Sequence, residues 1–174
     1  MPNKGDTSYG ASWPSQSRRS DNKNLKSRYL IAPEIDVLIL SFPMHFTWEF
    51  LQAPLFRSME DLSHFEGIRV CLQATLGDMA LVLAAFWVTC LVTRTRHWSV
   101  RADARSVAVW LGTGLFLTVT IEFLSTEILA RWTYAAAMPR LPLFGTGLAP
   151  LGQWIVVPMI VFWYMSRLSA DPTE

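Results

Sequence analysis

Four ionisable side chains, His45, Glu49, Asp78 and Glu122, fall inside stretches that otherwise read as membrane spans. A charge near the centre of a bilayer costs about 2.5–3.5 kcal/mol on insertion scales, so such residues mark a functional site by default. The chemistry open to them is acid–base. A desolvated carboxylic acid can donate a proton, and a second carboxylate or an imidazole can accept one. His45 and Glu49, four residues apart, share one helix face. Ser41 and Gln52 extend that face into a polar stripe. Polar seams glue membrane helices together, usually through Ser, Thr, Asn or Gln, and a His plus a Glu exceeds that need.

These residues need elements to hold them. Half of the 174 residues are apolar, with eight Trp, ten Phe and a net charge of +1. Four apolar stretches, Ile35–Leu55, Ile68–Val92, Val107–Leu129 and Leu151–Leu168, approach or exceed the ~20 residues that cross a bilayer as helix. The expected fold is all-α, a four-helix transmembrane bundle spanning residues 33–168 with no second domain. Residues 1–32 read as a disordered basic tail and 169–174 as a short tail. Lys and Arg crowd the N-terminal tail (Lys4, Arg18, Arg19, Lys23, Lys26, Arg28) and the middle connection (Arg94, Arg96, Arg101, Arg105). By the positive-inside rule both termini and the middle connection are cytoplasmic, as in a bacterial inner membrane.

The spans place their polar residues unevenly. Pro43 should bend the first span and open space beside the stripe. Asp78 lies ten residues past Ile68, hence ~15 Å deep, and Glu122 ~10 Å below the outer surface. Gln73, Gly77, Ala80 and Ala84 read as a small-residue packing strip. Glu127 and Arg131 read as an ordinary interfacial ion pair. The connection from Arg131 to Gly152 carries Trp132, Tyr134, Met138 and Phe144 among Pro and Gly residues, and should fold over the outer end as a lid. The shorter outer connection, with Phe56, Met59, Leu62 and Phe65, reads as an interfacial helical turn. Cys71 and Cys90, ~28 Å apart along one helix, lie beyond disulfide reach. No P-loop, GxGxxG, GxSxG, CxxC or nucleic-acid signature occurs.

His45 and Glu49 on an early span, Asp78 on the next, Glu122 on the third, and Trp154 four residues before Pro158 together resemble the EXPERA family of sterol-isomerase-like membrane proteins. In layout the chain is also similar to small bacterial membrane proteins. The resemblance implies a helical bundle around a sterol- or isoprenoid-sized pocket. It further implies isomerisation of a double bond, with His45, Glu49, Asp78 and Glu122 catalytic. Gln52, Trp132, Gln153 and Trp154 would bind the ligand, Trp154 steadying a carbocation. No cofactor, metal or nucleic acid is expected. Rival readings are a carotenoid cyclase or hydratase, a metal-binding membrane enzyme, and a non-catalytic subunit or assembly factor of a membrane complex. A homo-oligomer also remains open.

Overall fold

The structure is a computed structural model that describes residues 32–99, 103–142 and 145–169. The two tails expected at residues 1–32 and 169–174, save residues 32 and 169 themselves, lie outside the described residues, as does Phe144 of the expected lid. Four helices form: α1 (Pro33–Gln52), α2 (His64–Thr93), α3 (Ala104–Phe123) and α4 (Leu148–Ser169). Among the described residues there is no strand, only two isolated bridges, Phe56 with Tyr134 and Arg140 with Gly147. Three helical stretches, His64–Thr93, Ala104–Ile128 and Leu148–Arg167, are long and apolar enough to cross a membrane. The first helix is not among them, because its polar stripe lowers its mean hydropathy.

Local chemistry accounts for the ends. Pro33 opens α1 at its first turn, where a missing N–H costs nothing, and Glu34 and Asp36 there complement the helix dipole. Pro54 comes directly after, and α1 gives way to two short 3-10 turns, Ala53–Leu55 and Arg57–Met59. Ser63 and Glu66 form a reciprocal capping box that starts α2 four residues before its apolar run. Arg94, at φ 55°, ends α2 in the left-handed conformation. Asp103 caps α3 by accepting from the Ser106 N–H at 2.8 Å. At its other end α3 widens into a π-turn, Leu124–Ile128, closed by Leu129 N–H donating to the Leu124 carbonyl at 2.8 Å. Such turns insert an extra residue into the helix and re-aim the chain beyond it.

Each helix packs on two neighbours, α1 on α2 and α4, and α3 on α2 and α4. At one end Arg96, after α2, pairs with Glu34 at the start of α1. At the other, Trp48 Nε1 near the end of α1 donates to the Ala149 carbonyl at the start of α4, at 3.2 Å. The apolar core gathers toward the Glu34 end, around Phe86, Trp98, Trp110, Val157, Val161 and Met165. Thr75 and Thr89 stay compatible with it by donating to the carbonyls four residues back, each at 2.8 Å.

Three expectations are corrected. Gln73, Gly77, Ala80 and Ala84 are all exposed, so the strip packs against no helix of this chain. Cys71, Thr75, Met79, Val82 and Phe86 form the buried face of α2, and the strip, two residues out of phase, points away. No ion pair joins Glu127 to Arg131 among the described residues: Glu127 accepts from Thr126, and Arg131 lies over the Trp132 ring at 5.9 Å. Pro43 is exposed, on the side of α1 away from the stripe, and frees no space beside it.

Candidate functional site

The polar stripe of α1 faces the bundle interior, with Ser41, His45 and Gln52 all buried. Gln153, in the second turn of α4, reaches across to it and to α2. Its Nε2 lies 2.8 Å from His45 Nδ1 and donates to Asp78 Oδ2 at 2.9 Å. His45 Nδ1 and Asp78 Oδ2 are themselves 3.2 Å apart. Gln52 Nε2 donates to Gln153 Oε1 at 3.3 Å and to Glu49 Oε1 at 2.8 Å. Glu49 also interacts with Asp78. One amide-linked chain therefore runs from His45 through Gln153 and Gln52 to Glu49, with Asp78 beside it.

Gln153 Nε2, His45 Nδ1 and Asp78 Oδ2 lie within hydrogen-bond reach of one another, and the role of Nδ1, donor or acceptor, follows the imidazole tautomer. Turning the amide over would set its oxygen against the Asp78 carboxylate, acceptor against acceptor. His45 Nε2, Gln52 Oε1 and Thr118 Oγ1 are buried without a hydrogen-bond partner among the described residues. Each such group costs about 1–3 kcal/mol, and the cost is recovered when a bound molecule supplies the partner.

Glu122 stands on α3. It is not part of the amide chain, and it belongs to the lid contacts. Trp132 Nε1 donates to its Oε2 at 3.4 Å, and the Tyr134 hydroxyl donates to the same oxygen. Tyr134 is buried, with Arg140 5.0 Å above its ring. A Cβ on Gly147 would meet Tyr134 at 3.1 Å and the Met138 sulfur at 3.0 Å, so only glycine lets the lid close this tightly. The lid is stitched to the short connection by two backbone bonds, Arg57 N–H to Thr133 O and Ala135 N–H to Leu55 O, both 2.9 Å. This is more than an aromatic anchor.

Beside these groups lies a cavity of about 480 Å³ lined by Glu49, Gln52, Asp78, Glu122, Trp132, Gln153 and Trp154, with apolar walls from Phe56, Met59, Val70, Leu81 and Ile121. His45 does not line it and sits behind Gln153 and Asp78, its ring 5.6 Å from that of Trp154. Trp154 closes the floor where the apolar core begins, lying so close to Gly114 that a Cβ there would stand 2.3 Å from the indole. Tyr134, Thr118 and Arg131 were not among the site residues expected from sequence; Tyr134 bonds Glu122, and Thr118 and Arg131 line the cavity. A tyrosine in a Pro/Gly-rich segment carries no periodic signal that could have singled it out.

The arrangement can hold an apolar molecule of moderate size against two groups of proton donors and acceptors. Among the described residues no group of three or more His, Cys, Asp or Glu is arranged to hold a metal ion. His45 Nδ1 stands within hydrogen-bond reach of Gln153 and Asp78. No family model, curated protein or solved structure matches this chain.

Proposed function

We propose that the chain is an integral membrane protein of four spans whose cavity binds an apolar lipid, sterol- or isoprenoid-like, and shifts a double bond in it by acid–base catalysis. The observation that carries this reading is the cavity itself. Its volume falls in the range of small-molecule sites, roughly 300–1,000 Å³. Three carboxylates line it from three helices, Glu49 from α1, Asp78 from α2 and Glu122 from α3, among apolar side chains.

The fourth span is α1. Twenty residues of helix reach about 30 Å, the thickness of the hydrocarbon layer. Its exposed face, Ile35, Ile39, Phe42, Phe50 and Leu51, is apolar apart from Thr47, whose hydroxyl donates to the Pro43 carbonyl, and its polar stripe is turned inward. The Arg-rich connection between α2 and α3 then lies in the cytoplasm of a bacterial inner membrane with both termini, and the lid faces outward.

In the reaction a protonated carboxyl on one helix gives its proton to an alkene carbon, whose π-electrons form the new C–H bond. The cation left on the neighbouring carbon is steadied by the indole face of Trp154. A carboxylate on another helix removes a proton from the next carbon, and those C–H electrons become the shifted double bond. Atoms and electrons balance without a co-reactant. The apolar walls keep out water that would trap the cation.

The test is Glu49→Gln and Glu122→Gln in protein reconstituted with sterol and polyprenyl substrates. Each swap keeps size and hydrogen-bonding capacity and removes the titratable proton. Folding and lipid retention should persist while double-bond migration stops. Absence of migration with unmutated protein, alongside firm lipid retention, would leave a binding protein. One observation favours a second reading, a subunit of a membrane complex: the exposed Gly77, Ala80 and Ala84 are the residue types against which a partner helix packs.

A further inference from the structure

The cavity has a way in, and its lining shows where. The axial route, along the bundle from the lid end, is crossed by the two backbone bonds between the lid and the short connection and by Tyr134 and Trp132 bonded to Glu122. Of the lining residues that remain exposed, Ser58 and Arg131 belong to the two outer connections and the others to two helices. Val70, Gln73 and Gly77 lie on α2, and Ile121 lies on α3. At Gly77 an added Cβ would meet nothing within 4 Å. The cavity is therefore slotted along the α2–α3 seam, on the face the apolar surface of the bundle turns toward lipid.

Charge is divided along this slot. Its rim carries Arg131, exposed, stacked over Trp132 and without a carboxylate partner among the described residues. Arg57 is close by, its N–H bonded to Thr133 two residues beyond Arg131. Glu60 and Asp61 come later in the same connection, outside the lining. The interior carries Glu49, Asp78 and Glu122. An anionic group is held at the rim and repelled from the interior, and Arg is the side chain suited to phosphate oxygens.

We propose that the slot between α2 and α3 admits a phospholipid sideways from the bilayer, with its anionic head group on Arg131 and Arg57 and one unsaturated chain laid past Gly77 toward the carboxylates. The inference rests on reading the cavity as a lipid pocket, takes a phospholipid acyl chain in place of the sterol- or isoprenoid-like ligand, and adds the class of head group, the route and the orientation. Gly77 lines the slot at its exposed edge, where a large side chain has open space to occupy.

The experiment is native mass spectrometry of the full chain released from nanodiscs of equal dioleoylphosphatidylglycerol and dioleoylphosphatidylcholine. One retained lipid is expected, with phosphatidylglycerol favoured by about thirtyfold for two arginines at the rim. The Arg57→Gln/Arg131→Gln variant should retain lipid without that preference. Gly77→Phe should lose retention of both lipids at unchanged thermal stability, and Gly112→Phe, also in open space but away from the cavity, should retain them. Equal retention of the two lipids by unmutated protein would overturn the head-group assignment. Undiminished retention by Gly77→Phe would overturn sideways entry. Loss of a dimer mass in that variant, with lipid kept, would assign the strip to a second copy of the chain. No retained lipid in unmutated protein would reject the pocket reading itself, an outcome distinct from the other three.

Discussion

Gly114→Ala tests the floor of the cavity. The added Cβ would stand 2.3 Å from Cε3 and 2.4 Å from Cζ3 of Trp154, whereas carbon atoms rest in contact at about 3.5–4.0 Å. Trp154 is 1% exposed and packed in the apolar core, so an indole pushed off Gly114 must displace core neighbours or enter the cavity it lines. Overpacking of this kind costs about 1–3 kcal/mol. The gain of Ala over Gly in a helix returns roughly 0.5–1 kcal/mol. The net, about 1–2 kcal/mol, corresponds to a loss of roughly 2–8 °C in Tm for a chain of this size. Gly112→Ala, two residues away with nothing within 4 Å, keeps only the helix gain and should hold or raise Tm. Trp154→Phe deletes the benzo ring that bears the clashing atoms. In a double-mutant cycle the two sites should therefore couple by on the order of 1 kcal/mol. Thermal unfolding of the four proteins in detergent, monitored by circular dichroism, reads these numbers. Equal Tm for Gly114→Ala and Gly112→Ala would refute the close approach and with it the placement of Trp154 beside His45.

Tyr134→Phe leaves Glu122 with only the Trp132 donor at 3.4 Å. Burial and the Glu122 charge push the Tyr134 hydroxyl above its ordinary range, so it remains a proton donor at every working pH. Losing it should cost about 1–3 kcal/mol and speed amide exchange across residues 133–142; unchanged exchange there would show that the lid is held by other contacts. Arg96, hydrogen-bonded to Glu34, holds that carboxyl below its usual 4.5. A lowered folded value stabilises above the unfolded one and is lost as pH falls through it, so the contribution should disappear below about pH 4.5. Arg96 is half exposed, which keeps the contribution of the pair small and makes it shrink with salt. Glu34→Gln should flatten that part of the stability–pH curve, and an identical curve would discount the pair. Finally, in a background lacking Cys71 and Cys90, Ser63→Cys and Ala136→Cys should react with an impermeant maleimide in intact cells. His97→Cys should react only after permeabilisation, and the reverse pattern would invert the proposed orientation.

The helices were legible because each is a long apolar run, and their ends were less so because local chemistry sets them. The Ser63–Glu66 box starts α2 among residues that no hydropathy window would include. The widened turn after Phe123 depends on one inserted residue, which no periodicity announces. The Gln73, Gly77, Ala80, Ala84 strip shows a deeper limit. Its spacing is the same whether the strip packs inward or faces lipid. Competition on α2 decides: the other face offers Cys71, Thr75, Met79, Val82 and Phe86, and a helix with two neighbours can bury only one stripe. The same competition explains the site. His45 and Glu49 could be paired from their spacing alone, since a helix fixes it. Their link to Asp78 passes through Gln153, 108 residues from His45, and Glu122 reaches Tyr134 across an irregular lid. Such partners are chosen by which donors the folded bundle leaves without acceptors, a property of the assembled helices and of no single one. Gln52 and Gln153 are the residues where this shows most clearly. Each has an amide able to donate and accept at once, and that is what lets carboxylates and an imidazole on α1 and α2 share one buried network with α4.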